Sequence, residues 1–390
     1  MMGAGRSDAD AGPASGRRSG PLAGVRVVEF SGIGPAPFCG MLLADMGADV
    51  ICIDRRDART DPVTGVLGRG KRSIALDLKQ PGDVETALRL VDRADVLLEG
   101  FRPGVMERLG LGPEPCLARR PALVYGRMTG WGQSGPLASA AGHDINYIAL
   151  SGALAAIGGP GGPPAIPLNL VGDFGGGALY LAMGICAALV ESRRSGEGQV
   201  IDAAMTDGAI SLMTIFHAGR SIGAWNVERG TNLIDGGAPF YNVYETADGR
   251  HVAVGAIEPQ FYALLLDRLG LVDPVWQAQN DGDRWPDLRD RLTALFRQRT
   301  RAEWTALLEG TDACFAPVLD LDEVADHPHN RARESVVRID GVAQANAAPR
   351  FSRTPAVPGR RAPVPGEHGA EILAELDLKP ASVSESAPQH

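Results

Sequence analysis

Two short runs of the chain hold side chains whose chemistry is complementary. Gly142-His143-Asp144-Ile145-Asn146-Tyr147 sets an imidazole beside a carboxylate, and Asn169-Leu170-Val171-Gly172-Asp173-Phe174-Gly175-Gly176-Gly177 sets another carboxylate among glycines. Glycine lets backbone amides come close to a bound group. An imidazole paired with a carboxylate is expected where a carbon acid loses and regains a proton. His143 suits either half of that exchange, because an unperturbed imidazole titrates at about 6.5. Asp173 suits the other half, and does so better when partial burial raises its pKa. Each residue also has a plainer reading, His143 as a surface histidine and Asp173 as the N-cap of the helix that follows it.

The rest of the composition narrows the classes. A chain of 390 residues with 44% hydrophobic and 22% charged residues is that of a folded globular protein, long enough for two domains. Its 38 basic against 47 acidic residues, net −9, exclude a general nucleic-acid binder, which needs a basic face. Five scattered cysteines (Cys39, Cys52, Cys116, Cys186, Cys314) include no C-x-x-C pair, so neither a metal site nor a disulfide framework is expected. The first twenty residues lack an apolar signal core. The apolar run 178–190 is shorter than the roughly 20 residues of a membrane span. A soluble, cytoplasmic protein without a membrane span is the expectation.

Positioning elements follow from the pattern along the chain. Residues 24–30 and 48–54 read as buried strands around a helix through Met46, and 95–99 and 123–128 as further strands with a helix over 83–94. Gly32 and Gly34 imitate a dinucleotide fingerprint, but Pro37 stands where its third glycine would be. Helices are expected over 175–193, opening directly after Asp173, and over 200–216. Asp248-Gly249 marks a hairpin between strands 240–245 and 251–254. The fold class is α/β: a Rossmann-like large domain with a mostly parallel sheet, plus a smaller α+β domain. The expected divisions are a disordered tail (1–20), the large domain (21–220), a linker (221–234), the small domain (235–330), a linker returning to the large domain with a helix over 370–376 (331–378), and a second tail (379–390).

From about residue 21 to 376 the chain resembles the α-methylacyl-CoA racemases, a branch of the family III CoA-transferase (CaiB/BaiF-type) group. The blocks that carry the group resemblance include Leu22-Ala23-Gly24-Val25-Arg26-Val27-Val28-Glu29, Asp45-Met46-Gly47-Ala48-Asp49-Val50, Gly70-Lys71-Arg72-Ser73-Ile74-Ala75-Leu76-Asp77-Leu78-Lys79 and Gly100-Phe101-Arg102-Pro103-Gly104. The resemblance implies an interlocked homodimer and CoA contacts at Arg55, Leu76, Asp77, Leu78, Lys79, Gly100, Phe101, Arg102 and Arg108. Arginine suits the phosphates of CoA. The plain alternative for Arg55 and Arg108 is a solvated surface charge. Only three lysines occur, Lys71, Lys79 and Lys379, and two fall inside a CoA block.

The two catalytic runs match the racemase branch. The resemblance makes His143 and Asp173 the two bases that invert the α-carbon of a 2-methylacyl-CoA thioester through an enolate. Gly142, Asp144, Ile145, Asn146 and Tyr147 then lie against the substrate, and Glu258, across the dimer, pairs with His143; an exposed helix-start glutamate is its plain alternative. Asn169, Tyr241 and Cys314 line the site in supporting roles. The amides of residues 173–175 are candidate donors to the enolate oxygen, a contribution of about 2.7–4 kcal/mol each. No metal or separate cofactor is implied, since CoA enters with the substrate. Two alternatives stay open: a CoA-transferase using Asp173 as nucleophile, and a CoA-binding protein without turnover.

Overall fold

The computed structural model describes residues 19–377. The expected tails therefore lie outside the described residues, apart from Ser19 and Gly20, and so does Lys379. Two compact units divide the chain: residues 19–140, 177–204 and 337–377 of the described chain form one, and residues 141–176 and 205–336 the other.

In the first unit, strands β1 (Arg26–Phe30), β2 (Asp49–Asp54), β3 (Arg72–Ala75), β4 (Val96–Glu99), β5 (Val124–Thr129) and β6 (Gln199–Ala204) form a parallel sheet in the order β3-β2-β1-β4-β5-β6. β1 is central, with Val28 aligned to Ile51 on one side and to Leu97 on the other. Strands covered on both faces need apolar residues at every position, as Val27, Val28, Val96, Leu97 and Leu98 supply. The order reverses between β1 and β4, so the loops after these strands flank the crevice where such sheets receive ligands. These loops hold the Gly32/Gly34 motif and the Gly100-Phe101-Arg102 block. Gly34, at φ 71°, leads into helix Pro35–Asp45, and a side chain on Gly100 would come within 3.1 Å of Ala36 Cβ.

Strand β6 corrects the expected single helix over 200–216. Gln199–Ala204 pairs with β5, and the helices Met205–Leu212 and Thr214–Ser221 follow it. The short apolar run Val200-Ile201-Asp202-Ala203-Ala204 fits either state by periodicity, and pairing with β5 decides it. The preceding helical run, Leu170–Ser195, is long and apolar enough to cross a membrane by length and composition alone, longer than the run 178–190 suggested. Its Leu181, Ile185 and Leu189 are buried in the first unit.

Buried ion pairs brace this unit. Lys71 donates to Glu29 Oε1 at 2.7 Å and to the Pro37 carbonyl at 2.9 Å, tying β1, the first helix and the start of β3 together. Arg69 bonds Asp45 at 2.6 Å and also reaches the Ala345 carbonyl. Arg72 holds Asp49, Glu371 and Glu375, seating helix Gly369–Asp377, whose Ile372 and Leu376 join the sheet core.

The second unit contains the antiparallel sheet of β7 (Tyr241–Glu245), β8 (His251–Gly255) and β9 (Phe315–Pro317). Gly249, at φ 70°, forms the expected hairpin turn. Helices Pro259–Leu269, Trp285–Phe296 and Arg301–Leu308 contribute to a core with Phe240, Phe296 and Trp304. The unit division differs from the expected boundaries at 220 and 235. Helix Asp144–Leu150 packs on helix Met205–Leu212 through Ile148 and Ala209, which draws residues 141–176 into the second unit.

The Glu29–Lys71 pair yields a stability prediction. Burial pushes the Glu29 carboxyl up, and Lys71 pulls it back. Lys71→Met should cost about 3–5 kcal/mol by stranding the acid, and adding Glu29→Gln should recover much of the loss in urea unfolding.

Candidate functional site

The element that carries Asp173 is unusual. From Leu170 to Ala178 the backbone makes a π-helix, continued by an α-helix over Leu179–Ser195. Glycines let other segments pack closely on this turn. A Cβ on Gly172 would lie 2.6 Å from Asp144 Oδ2, one on Gly176 2.7 Å from the Ala209 amide nitrogen, and one on Gly208 1.8 Å from the Gly176 oxygen. Backbone therefore meets backbone and carboxylate where side chains would collide. Asp173 sits within this turn, so the expected opening of the helix just after Asp173, and its reading as an N-cap, are both corrected.

The capping acid is Asp144. Its Oδ2 accepts from the amides of Gly172 and Asp173, both at 2.7 Å. This also removes the Asp173 amide from the candidate enolate donors, and the Phe174 amide donates to the Asn169 carbonyl at 3.3 Å. The first-turn amides of a helix lack intrahelical partners, so those of Asp144 and Ile145, at the start of helix Asp144–Leu150, are candidates beside that of Gly175.

His143 occupies the N-cap of that helix and is exposed. Its amide donates to Asn146 Oδ1 at 3.0 Å, and its carbonyl accepts from the Asn146 amide at 2.8 Å. Tyr147 Oη donates to the Gly142 carbonyl. Asn146 and Tyr147 thus hold the turn that presents the imidazole. Asp173 is half-buried, with Asn169 Nδ2 donating to its Oδ2 at 3.2 Å. Burial pushes its carboxyl above the usual aspartate range and the Asp144 charge adds to the rise, while the Asn169 hydrogen bond and His143 oppose it. An imidazole and a carboxyl of raised proton affinity therefore share one electrostatic neighbourhood.

Glu258 is exposed at the N-cap of helix Pro259–Leu269, its carbonyl accepting from the Phe261 and Tyr262 amides. Among the described residues its carboxylate forms no ion pair, and it contributes to raising the Cys314 thiol, after burial. Cys314, at φ 51°, accepts from the Gly255 amide at 2.8 Å, and a Cβ on Gly255 would meet the Tyr241 ring at 3.8 Å. Glu258, Tyr241 and Cys314 thus belong to one neighbourhood around the end of β8.

The expected CoA residues fall in the first unit. Leu78, Lys79, Val84, Leu88, Arg108 and Leu109 line a cavity of about 480 Å³. Leu76 is buried at the end of β3, and Asp77 turns the chain by accepting from the Lys79 amide at 3.1 Å. Phe101 donates its amide to Glu99 Oε2 at 2.7 Å and sets its ring edge-on to Phe30, while Gly100 and Arg102 are exposed beside it. Arg55 does not line the cavity; its side chain is 82% exposed and its neighbour is Asp57 at 3.7 Å. Glu99 is a supporting residue that the motifs did not single out, and its signal was a charge closing an apolar strand. Its other oxygen accepts from Arg127 at 2.9 Å, fixing the loop after β4.

The chain belongs to CoA-transferase family III, whose pattern it matches over residues 22–369. Within that family it is 50% identical over 357 residues to α-methylacyl-CoA racemase of Mus musculus, covering 91% of this chain and 93% of the mouse protein. The Homo sapiens α-methylacyl-CoA racemase is 49% identical over the same shares. A CAIB/BAIF family protein from Brucella suis has a similar crystal structure, with TM-score 0.80 and 30% identity over 92% of this chain and all of that one.

The close approach at Gly172 is testable. Gly172→Ala should push the Asp144 carboxylate aside, lowering stability by about 1–3 kcal/mol in thermal unfolding and reducing turnover without abolishing CoA binding.

Proposed function

We propose that this chain interconverts the R and S forms of 2-methylacyl-CoA thioesters through an enolate, one group removing the α-proton and a second delivering another proton to the opposite face. The observation that carries this reading is that Asp144, next to His143, bonds the turn holding the half-buried Asp173, in a chain half identical to two proteins named as racemases. Asp173 as carboxylate removes the α-proton from one face, and the C–H electron pair moves onto the thioester oxygen. His143 as imidazolium delivers a proton to the opposite face. The cycle leaves Asp173 protonated and His143 neutral, which is the state that runs the reverse inversion. The amides of Asp144 and Ile145 are the donors we assign to the enolate oxygen.

Glu258 is assigned to His143 of a second copy, where a carboxylate would favour the imidazolium. An interlocked homodimer is part of the proposal. What supports a second copy is the apolar stripe Leu179, Met183 and Val190, 51%, 63% and 71% exposed on one helix, since exposed apolar patches of this kind mark contact surfaces. Lys79 and Arg108 are the cations assigned to CoA phosphates, with Arg55 as an outer contact. Asn169 holds Asp173, and Tyr241 and Cys314 border Glu258. CoA arrives with the substrate, and the scheme calls for no metal or separate cofactor.

In D₂O, inverted product formed from either enantiomer should carry deuterium at the α-carbon from the first turnovers. Unlabelled inverted product would exclude the two-base route, and label that appears only with an added acid acceptor would favour a transferase. His143→Ala and Asp173→Ala should each lower kcat by about 10²–10⁴-fold with little change in CoA affinity. Arg108→Ala should raise KM and spare kcat, as loss of uniform binding does. Because ionised Asp173 accumulates only as pH rises through its raised pKa, the acidic limb of kcat/KM should lie above the usual aspartate value of about 3.9.

A further inference from the structure

Asp144 is the buried acid whose role the proton-transfer scheme leaves unused. Only 6% of it is exposed. One of its oxygens is saturated by the amides of Gly172 and Asp173, both at 2.7 Å. The other, Oδ1, is buried and has no hydrogen-bond partner among the described residues. A carboxylate placed to contact substrate would present a free oxygen at the surface. This one turns its bonded oxygen to the chain that carries the catalytic acid.

We propose that Asp144 is a positioning residue, whose carboxylate fixes the π-turn that carries Asp173 and keeps a second negative charge against it. The inference rests on the racemase reading only for its kinetic consequences. Two amides converging on one oxygen set the turn's direction, and Gly172 is the residue that permits the approach. The unpartnered Oδ1 leaves part of the carboxylate's charge unscreened in a buried place, where charges interact strongly. That field makes ionisation of Asp173 harder and holds a proton available for delivery. The hydrogen bond from Asn169 acts in the opposite sense, as does His143, immediately before the Asp144–Leu150 helix. The helix Met205–Leu212 meets the turn with the backbone of Gly208 and Ala209, and its acid, Asp207, is exposed.

The experiment is a ¹³C titration of the Asp173 carboxyl in the full-length protein, assigned with Asp173→Asn, together with pH profiles. Asp144→Asn keeps an oxygen for the two amides and removes the charge. The Asp173 midpoint should fall, and the acidic limb of kcat/KM should move down with it. Asp144→Ala also removes the acceptor, so kcat should fall about 10²-fold from misplacement of the base with KM nearly unchanged. A role confined to stability would lower the folded fraction and move neither midpoint nor limb. If the asparagine variant does not fold, Asp144→Ser repeats the test with a smaller neutral acceptor. An unmoved Asp173 midpoint in a folded neutral variant overturns the proposal. A shifted midpoint in a protein whose wild type inverts no thioester upholds the coupling and removes the racemase reading instead.

Discussion

Two consecutive amides meeting a single carboxylate oxygen set the geometry of the second unit's reactive end. The contact joins residues 28 positions apart in sequence, as Gly172 to Asp144, and orders the segment between them. Helix Asp144–Leu150 can then pack against Met205–Leu212, and His143 takes its place at the end of that helix. A π-turn is ordinarily a poor bargain for the backbone and recurs at functional sites. Here the carboxylate and the glycine contacts hold it in place.

The parallel sheet was legible in the sequence because its strands are short, β-branched and separated by helical periodicity, and the hairpin because Asp248-Gly249 has one favoured geometry. Residue type and surrounding glycine marked His143 and Asp173 as candidates. What stayed hidden depends on distant pairing. Strand β6 is an alanine-containing run that becomes a strand through β5. The capping role of the Asp144 carboxylate was not legible, because its partners are backbone amides in another segment. The run of glycines after Asp173 read as a helix start, since nothing local distinguishes a widened turn from a cap. The grouping of residues 141–176 with 205–336 was not legible either, since it rests on small contacts such as Ile148 with Ala209.

The first unit solves a different problem, placing polar groups at the ends of a buried sheet. Glu29, Glu99 and Asp45 all lie in apolar surroundings, and each has a cation from another segment: Lys71, Arg127 and Arg69. Such pairs offset desolvation more than they add stability. Their value lies in where they hold backbone. Glu99 anchors the loop after β4 through the Phe101 amide, and Lys71 holds the helix after the Gly32/Gly34 loop through Pro37. The two loops at the sheet's reversal point are thus held from beneath by charge.

The scarcity of lysine also gives the surface an unusual chemical character. Lys71 is sealed against Glu29, so among the described residues Lys79 is the accessible lysine amine, and it lines the cavity in the first unit. Guanidinium groups stay protonated and make poor nucleophiles. An acylating reagent, including an activated thioester, therefore meets one lysine side chain on this described surface where most proteins offer many. Amine-directed dyes and cross-linkers would tag the described residues at a single, structurally defined address.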